Sequence, residues 1–233
     1  EAYKMAYSSD PISAFGCILG LNKAVDVATA EAITEPGHFV EAIIAPEFEK
    51  EAIEILTTKR KWGSSLRLLR TGAFSPNATD TRAYDMKRVV GGMLLQGRDL
   101  SIYDPVELRV VTKRNPTEQE MVDLRFAFIV CKHVKSNAIV LVKDETVVGI
   151  GAGQMSRIDS TEISIKKAGQ RISDAVMASD AFFPFRDSID AAVWAGVTAV
   201  IQPGGSNKDD ESIAAANEHG IAMVFTGQRH FRH

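Results

Sequence analysis

A chain of 233 residues is long enough for one large domain or two small ones with a real core. Its 27 basic and 30 acidic residues, net charge -3, argue against a dedicated nucleic-acid binder but leave room for a local basic pocket that holds phosphate. Two cysteines, Cys17 and Cys131, exclude a disulfide framework and a four-cysteine zinc site, and read as reduced thiols of a cytoplasmic protein.

In chain order, the apolar run Val40 to Ala45 predicts a strand that stops at Pro46. Phe48, Ala52, Ile55 and Leu56 fall on one helical face, so Glu47 to Thr58 predicts a helix, and Leu66 to Leu69 the next strand. Thr117-Glu118-Gln119-Glu120 is a capping box, and Met121, Leu124, Phe128 and Cys131 follow it at helical spacing. Ala138 to Val142 and Val147 to Ile150 predict a hairpin around Lys143-Asp144-Glu145-Thr146. Asp187 to Ala195 predicts a helix closed by Gly196, and Val197 to Ile201 a strand. Asn207 to His219 predicts a helix closed by Gly220, followed by a strand at Ile221 to Phe225. Strands alternating with helices point to an α/β fold with a mostly parallel sheet covered on both faces. No apolar run reaches the roughly 18–20 residues that span a bilayer, and no signal-peptide pattern opens the chain.

Two stretches echo each other. Val40 to Pro46 lines up with Val197 to Pro203, and in both a helix and an apolar strand follow, ending in Thr71-Gly72 and Thr226-Gly227. Ser9-Asp10-Pro11 with Phe15 lines up with Ser179-Asp180-Ala181 with Phe182. The order of these features favours a duplication. We therefore divide the chain into a first unit at 1–75, an irregular connection with one or two short elements at 76–116 containing Pro76, Pro105 and Gly91-Gly92, and a second unit at 117–233. By this count the first unit lacks its front half: it has eight residues before Ser9, whereas about sixty precede Ser179 in the second. The missing initial Met agrees with a fragment.

Four segments have the residue types that chemistry needs. Lys132-His133-Val134-Lys135-Ser136-Asn137 sits at a helix-to-strand junction, where Asn137 can donate and accept at once or else bond its own turn. His133 fits a general base less well than an exposed helix-end histidine. Gly149 to Gly153, followed by Ser156 and Arg157, fits a close backbone approach to a phosphate, or a plain tight turn. It is a poor match to a dinucleotide fingerprint because the spacing is G-x-G-x-G. Ser179 to Asp187 places three phenylalanines and a proline at a strand end, suited to stacking on a planar ring or to plugging a core. The terminus, Arg229-His230-Phe231-Arg232-His233, closes a phosphate pocket or frays. The cysteine-rich zinc-deaminase set, the nucleophile elbow and the P-loop are all missing from the sequence.

Taken in this order, the segments Asp10–Gly16, Glu41–Pro46, Val111–Arg114, Lys132–Asn137, Gly149–Ile158, Ser179–Asp187, Pro203–Ser206 and Arg229–His233 resemble the AICAR transformylase domain of the bifunctional AICAR transformylase / IMP cyclohydrolase family. The resemblance implies duplicated cytidine-deaminase-like units without zinc, the first incomplete, in a homodimer whose active sites lie at the subunit interface. It implies formyl transfer from 10-formyltetrahydrofolate, as cosubstrate, to the 5-amino group of AICAR ribonucleotide in purine (IMP) synthesis. Asn137 would contact the reacting groups. Phe15, Gly16, Glu41, Arg157, Phe182, Arg229 and Phe231 would bind the nucleotide. Ile12, Ser156, Ala181, Pro184, Phe185, Asp187 and His233 would bind the folate. A structural monovalent cation beside the Ser136-Asn137 turn stays an open expectation, and nucleic acid and membrane are not expected partners. The family's Lys-His-x-Asn-Pro motif, its main catalytic pair, and its Arg-Tyr nucleotide-binding pair are missing from this sequence. Lys132-His133 is the second unit's echo of the first pair and is not given its role. Two other classes stay open: a nucleotide-binding module without catalysis, and a nicotinamide oxidoreductase using Gly149 to Gly153.

Overall fold

The computed structural model describes residues 1–74, 84–102 and 107–233. Two compact units make up the chain, Glu1–Arg98 and Asp99–His233. Pro76 and Pro105 of the expected irregular connection lie outside the described residues.

In the first unit, helix α1 (Ala2–Ser9) precedes strand β1 (Cys17–Gly20), helix α2 (Val27–Ile33), strand β2 (Val40–Ala45), helix α3 (Lys50–Thr58) and strand β3 (Arg67–Arg70). The three strands pair in parallel in the order β1-β2-β3. Asp26 caps α2 by accepting from the Thr29 amide at 2.7 Å. α3 starts three residues later than the apolar spacing suggests. Phe48 is held in an extended bridge to Val25, and its ring joins the core made by Ile33, Val40, Ile43, Ala52 and Leu56. Within the expected connection, strands β4 (Tyr84–Val89) and β5 (Gly92–Gly97) form an exposed antiparallel hairpin.

The second unit opens with β6 (Arg109–Val110) and helix α4 (Glu118–Cys131), then β7 (Ile139–Lys143), β8 (Thr146–Gly151), α5 (Arg157–Ala168), β9 (Val176–Ser179), α6 (Asp187–Ala195), β10 (Ala199–Gln202), α7 (Asp209–Glu218) and β11 (Ala222–Phe225). The sheet order is β6-β11-β10-β9-β7-β8. Only the centre, β9-β10-β11, is parallel; β6, β7 and β8 join antiparallel. Alternation along the strands divides the core. Val140, Val176, Ala178, Ile201 and Val224 face α4, while Leu141, Met177, Val200 and Met223 face residues of α5, α6 and α7. Both faces are therefore buried, which is why these strands read as unbroken apolar runs. The β7–β8 turn has no glycine, yet Asp144 and Glu145 adopt φ of 51° and 53°. The buried Asp123 carboxylate makes this possible by accepting from both amides, at 3.0 and 2.7 Å.

The strand-helix order β1-α2-β2-α3-β3 matches β9-α6-β10-α7-β11, with the same parallel pairing. One expected correspondence differs. Asp180 follows a strand, whereas Asp10 caps the end of helix α1.

The capping box is formed: the Thr117 hydroxyl accepts from the Glu120 amide, and Glu120 accepts from the Thr117 amide. Glu120 also accepts from Arg114 Nη2 and from the Thr198 hydroxyl, each at 2.7 Å. Burial pushes its carboxyl up, but the hydrogen bonds from Arg114, Thr198 and Thr117 and the guanidinium charge outweigh this and hold it below the ordinary range. Its folded value lies under its unfolded one, about 4.3. The contribution is therefore complete above that pH and is lost as pH falls through the folded value. Urea unfolding from pH 5 to pH 3 is expected to show a steeper loss of stability for the parent chain than for Glu120→Gln. Identical slopes would contradict this.

Candidate active site

β7 runs antiparallel to β9, with Ile139 opposite Ser179, and β8 ends with Gly151 opposite Ile139. The start of β7 and the ends of β8 and β9 therefore meet at one edge of the second unit's sheet. This edge gathers Ser136-Asn137, the Gln154 to Arg157 loop and Ser179-Asp180.

Asp180, with 0% exposure, anchors the group. Its carboxylate accepts from Arg157 Nη1 at 2.6 Å and from the Ser136 hydroxyl. Arg157 Nη1 also donates to Ser179 Oγ, and Nη2 to Asn137 Oδ1, both at 2.8 Å. Asn137 Nδ2 donates to the carbonyls of Gln154 and Met155, both at 3.0 Å. These partners fix the orientation of the amide, since its nitrogen faces two carbonyls and its oxygen a guanidinium. Both Nδ2 hydrogens are committed, so what Asn137 can offer a ligand is the second lone pair of its oxygen. Arg157 keeps Nε–H and one Nη2–H beyond these bonds among the described residues. Cys131 lies nearby, but burial, then the Asp180 charge, push its thiol well up, so it is not a thiolate nucleophile.

Beside this network is a hollow of about 460 Å³, within the usual size of small-molecule sites. It is lined by Asn137, Met155, Ser156, Arg157, Ile158, Ala181, Phe182, Pro184, Phe185, Asp187 and Phe231. The first turns of α5 and α6 thus border it. Helix starts favour anionic groups, and Ser156 caps α5 by accepting from the Asp159 amide at 3.1 Å. The aromatic run splits its work. Phe183 is fully buried in the core, with its amide donating to Gln202 Oε1, while Phe182 and Phe185 line the hollow. The Lys208 ammonium lies 4.6 Å over the Phe185 ring.

The terminus is pinned. The His230 amide donates to the Asp180 carbonyl at 2.9 Å, the Ser136 amide to the Arg232 carbonyl at 2.9 Å, and the Arg232 amide to Ser136 Oγ at 3.0 Å. Phe231 reaches the hollow; Arg229 stacks on it at 5.4 Å and His233 sits 5.5 Å from it, neither on the lining itself. Sequence reasoning gave no role to Asp180, Met155, Ile158 or His230. A buried Asp just before an aromatic run was the available signal, because such a charge needs a cation.

The remaining expected residues belong to the first unit. Phe15 is 70% exposed and packs on Phe39 at 5.1 Å. Gly16, at φ 75°, faces Phe39 and Glu41, and Glu41 pairs with Arg67 at 3.1 Å. Ile12 is exposed. These four precede or begin β1 and β2, at the amino ends of the strands.

The glycine segment has a packing role. A Cβ on Gly149 would stand 2.2 Å from the Ser164 carbonyl oxygen, and one on Gly151 1.8 Å from that of Ser160. These glycines let α5 lie against β8, and β8 is an antiparallel strand, so the nicotinamide reading lacks its parallel βαβ unit. His133 is exposed beyond the end of α4, and burial, then the Lys132 charge, lower its basicity. Lys132 donates to the Ser101 carbonyl at 2.6 Å. Among the described residues no group of three His, Cys, Asp or Glu could hold a metal ion, and no helix is long and apolar enough to cross a membrane.

The chain is 51% identical over 233 residues to "Bifunctional purine biosynthesis protein PurH" of Rhodopirellula baltica, covering all of this chain and 44% of that protein. It is 55% identical over 245 residues to the protein of the same name in Magnetococcus marinus, again covering all of this chain and 44% of the relative. The chain thus spans less than half the length of these relatives. A solved structure titled "Acinetobacter baumannii RibD, form 2" aligns with 46% of this chain and 34% of its own at a TM-score of 0.33 and 15% identity, too slight a likeness to carry an argument. The family model described as AICARFT/IMPCHase bienzyme matches residues 1–167, and the chain belongs to that family.

Proposed function

We propose that this chain is part of a cytoplasmic purine-biosynthesis enzyme and holds residues of its formyl-transfer site. The observation that carries the reading is convergence. Asn137, Ser156-Arg157, the Ala181–Asp187 run and Phe231 come from four separate segments and line one hollow. The family and the relatives' names support purine synthesis. The shared strand-helix order of the two units supports a pair of zinc-free cytidine-deaminase-like units, the first incomplete. A homodimer with shared active sites, and a monovalent cation beside the Ser136-Asn137 turn, belong to the same proposal. The roles of Ile12, Phe15, Gly16 and Glu41 rest on the resemblance.

The substrates would be AICAR ribonucleotide and 10-formyltetrahydrofolate. The 5-amino group is conjugated to an electron-poor ring and is a weak nucleophile. Its nitrogen attacks the formyl carbon, the new C–N bond forms, the folate N10–carbon bond breaks, and the proton lost by the amine ends on N10. The free lone pair of Asn137 Oδ1 suits the amine hydrogens. The unused N–H groups of Arg157 suit the oxygen that gains charge in the tetrahedral intermediate. Phe182, Pro184 and Phe185 offer flat apolar surface to the base and the pterin.

Transfer of labelled formyl from 10-formyltetrahydrofolate to AICAR ribonucleotide, by the longer protein that contains this chain, tests the proposal. Affinity for the nucleotide with no transfer would instead mark the site as a binding module.

A further inference from the structure

We propose that His230 is a positioning residue: it joins residues 99–102 and the C-terminal tail into one brace that sets Phe231 in the wall of the hollow. His230 has 3% exposure and packs edge-on against Phe128, with ring centroids 5.1 Å apart. Its Nδ1 lies 2.6 Å from Asp99 Oδ2, and its Nε2 2.9 Å from the Ile102 carbonyl oxygen. Both partners are oxygens, so the ring is held between them from its two sides. Lys132 holds the same segment by donating to the Ser101 carbonyl at 2.6 Å with its ammonium 3.7 Å from Asp99.

The brace continues into the hollow. The His230 amide donates to the Asp180 carbonyl, and the carboxylate of that residue carries Arg157 and Ser136. On the other side of Phe231, Ser136 exchanges hydrogen bonds with Arg232. The backbone is therefore fastened on both sides of Phe231 while its ring stays half free, 46% exposed and lining the hollow. The tail alternates, with His230 turned inward and Arg229 and Phe231 outward, so losing the inward anchor releases the outward residues. This assignment concerns the wall of the hollow, whichever ligand fills it.

The test uses amide hydrogen exchange across the chain, in the parent, His230→Gln and His230→Leu. In His230→Leu the Arg232 amide should exchange about tenfold faster or more, while amides of β10 keep their parent rates. His230→Gln, which keeps one donor, should fall between the two. If His230→Leu does not fold, Asp99→Asn gives the same reading, because it weakens one arm and keeps the shape. Parent-like exchange at Arg232 in these variants would overturn the proposal.

Discussion

Replacing Arg157 with methionine is expected to destabilise the second unit by about 3–5 kcal/mol and to abolish measurable ligand binding at the hollow. The cost comes less from the lost bonds than from what remains. Asp180 is fully buried, and without the guanidinium its carboxylate keeps, among the described residues, only the Ser136 hydroxyl as a side-chain donor. Against a total stability of about 5–15 kcal/mol, typical of folded domains, such a loss is large. A double variant, Arg157→Met with Asp180→Asn, removes both charges. It should recover much of the stability, because no buried ion is left unpaired, but none of the binding, because the donors facing the hollow are gone. Urea unfolding and calorimetric titration with AICAR ribonucleotide separate the two effects. A single variant as stable as its parent would contradict this account of the buried pair.

The second large effect concerns turnover. The 233-residue chain is expected to transfer formyl at least about a hundredfold more slowly than a longer protein that also has the family's Lys-His-x-Asn-Pro motif. On the proposed reading Asn137 and Arg157 orient the amine and stabilise an oxyanion, but an amide and a guanidinium do not serve as general bases. His133 is not a substitute: it is exposed beyond α4, outside the lining of the hollow. General acid–base help is typically worth about 10²–10⁴-fold, which sets the size of the deficit. Equal rates under saturating substrates would mean that the proton is handled by a group in this chain.

How legible the molecule was depended on what each element buries. β2 and α4 announce themselves because one is a mostly apolar run with Val40, Ile43 and Ala45 in the core and the other carries an apolar stripe behind a capping box. Gly196 and Gly220 end α6 and α7 with φ of 113° and 69°, so their stop signals are physical. Helix α5 gave no such signal. It presents Ser160, Thr161 and Ser164 to the interior, with their hydroxyls bonded to the carbonyls of Asn137, Arg157 and Thr161. It can lie close only because Gly149 and Gly151 face it, so a pattern that suggested phosphate binding records helix-strand packing instead. The exposed hairpin β4–β5 was legible only as one or two short elements without bounds, because it has no buried face to impose alternation. In the site, aromatic and cationic residues were readable by type, and the second unit's members line or flank one hollow. The roles of Asp180 and His230 were not readable, because each depends on partners distant in the chain: Asp180 on Ser136 and Arg157, and His230 on Asp99 and Ile102.

A crystal structure of the longer protein with AICAR ribonucleotide and a non-reactive 10-formylfolate analogue bound tests the central claim most directly. The account predicts the purine precursor's ring against Phe182 and Phe231, with its amine within hydrogen-bond reach of Asn137 Oδ1. Both ligands seated elsewhere, with the hollow beside Asn137 and Arg157 still empty, would contradict it.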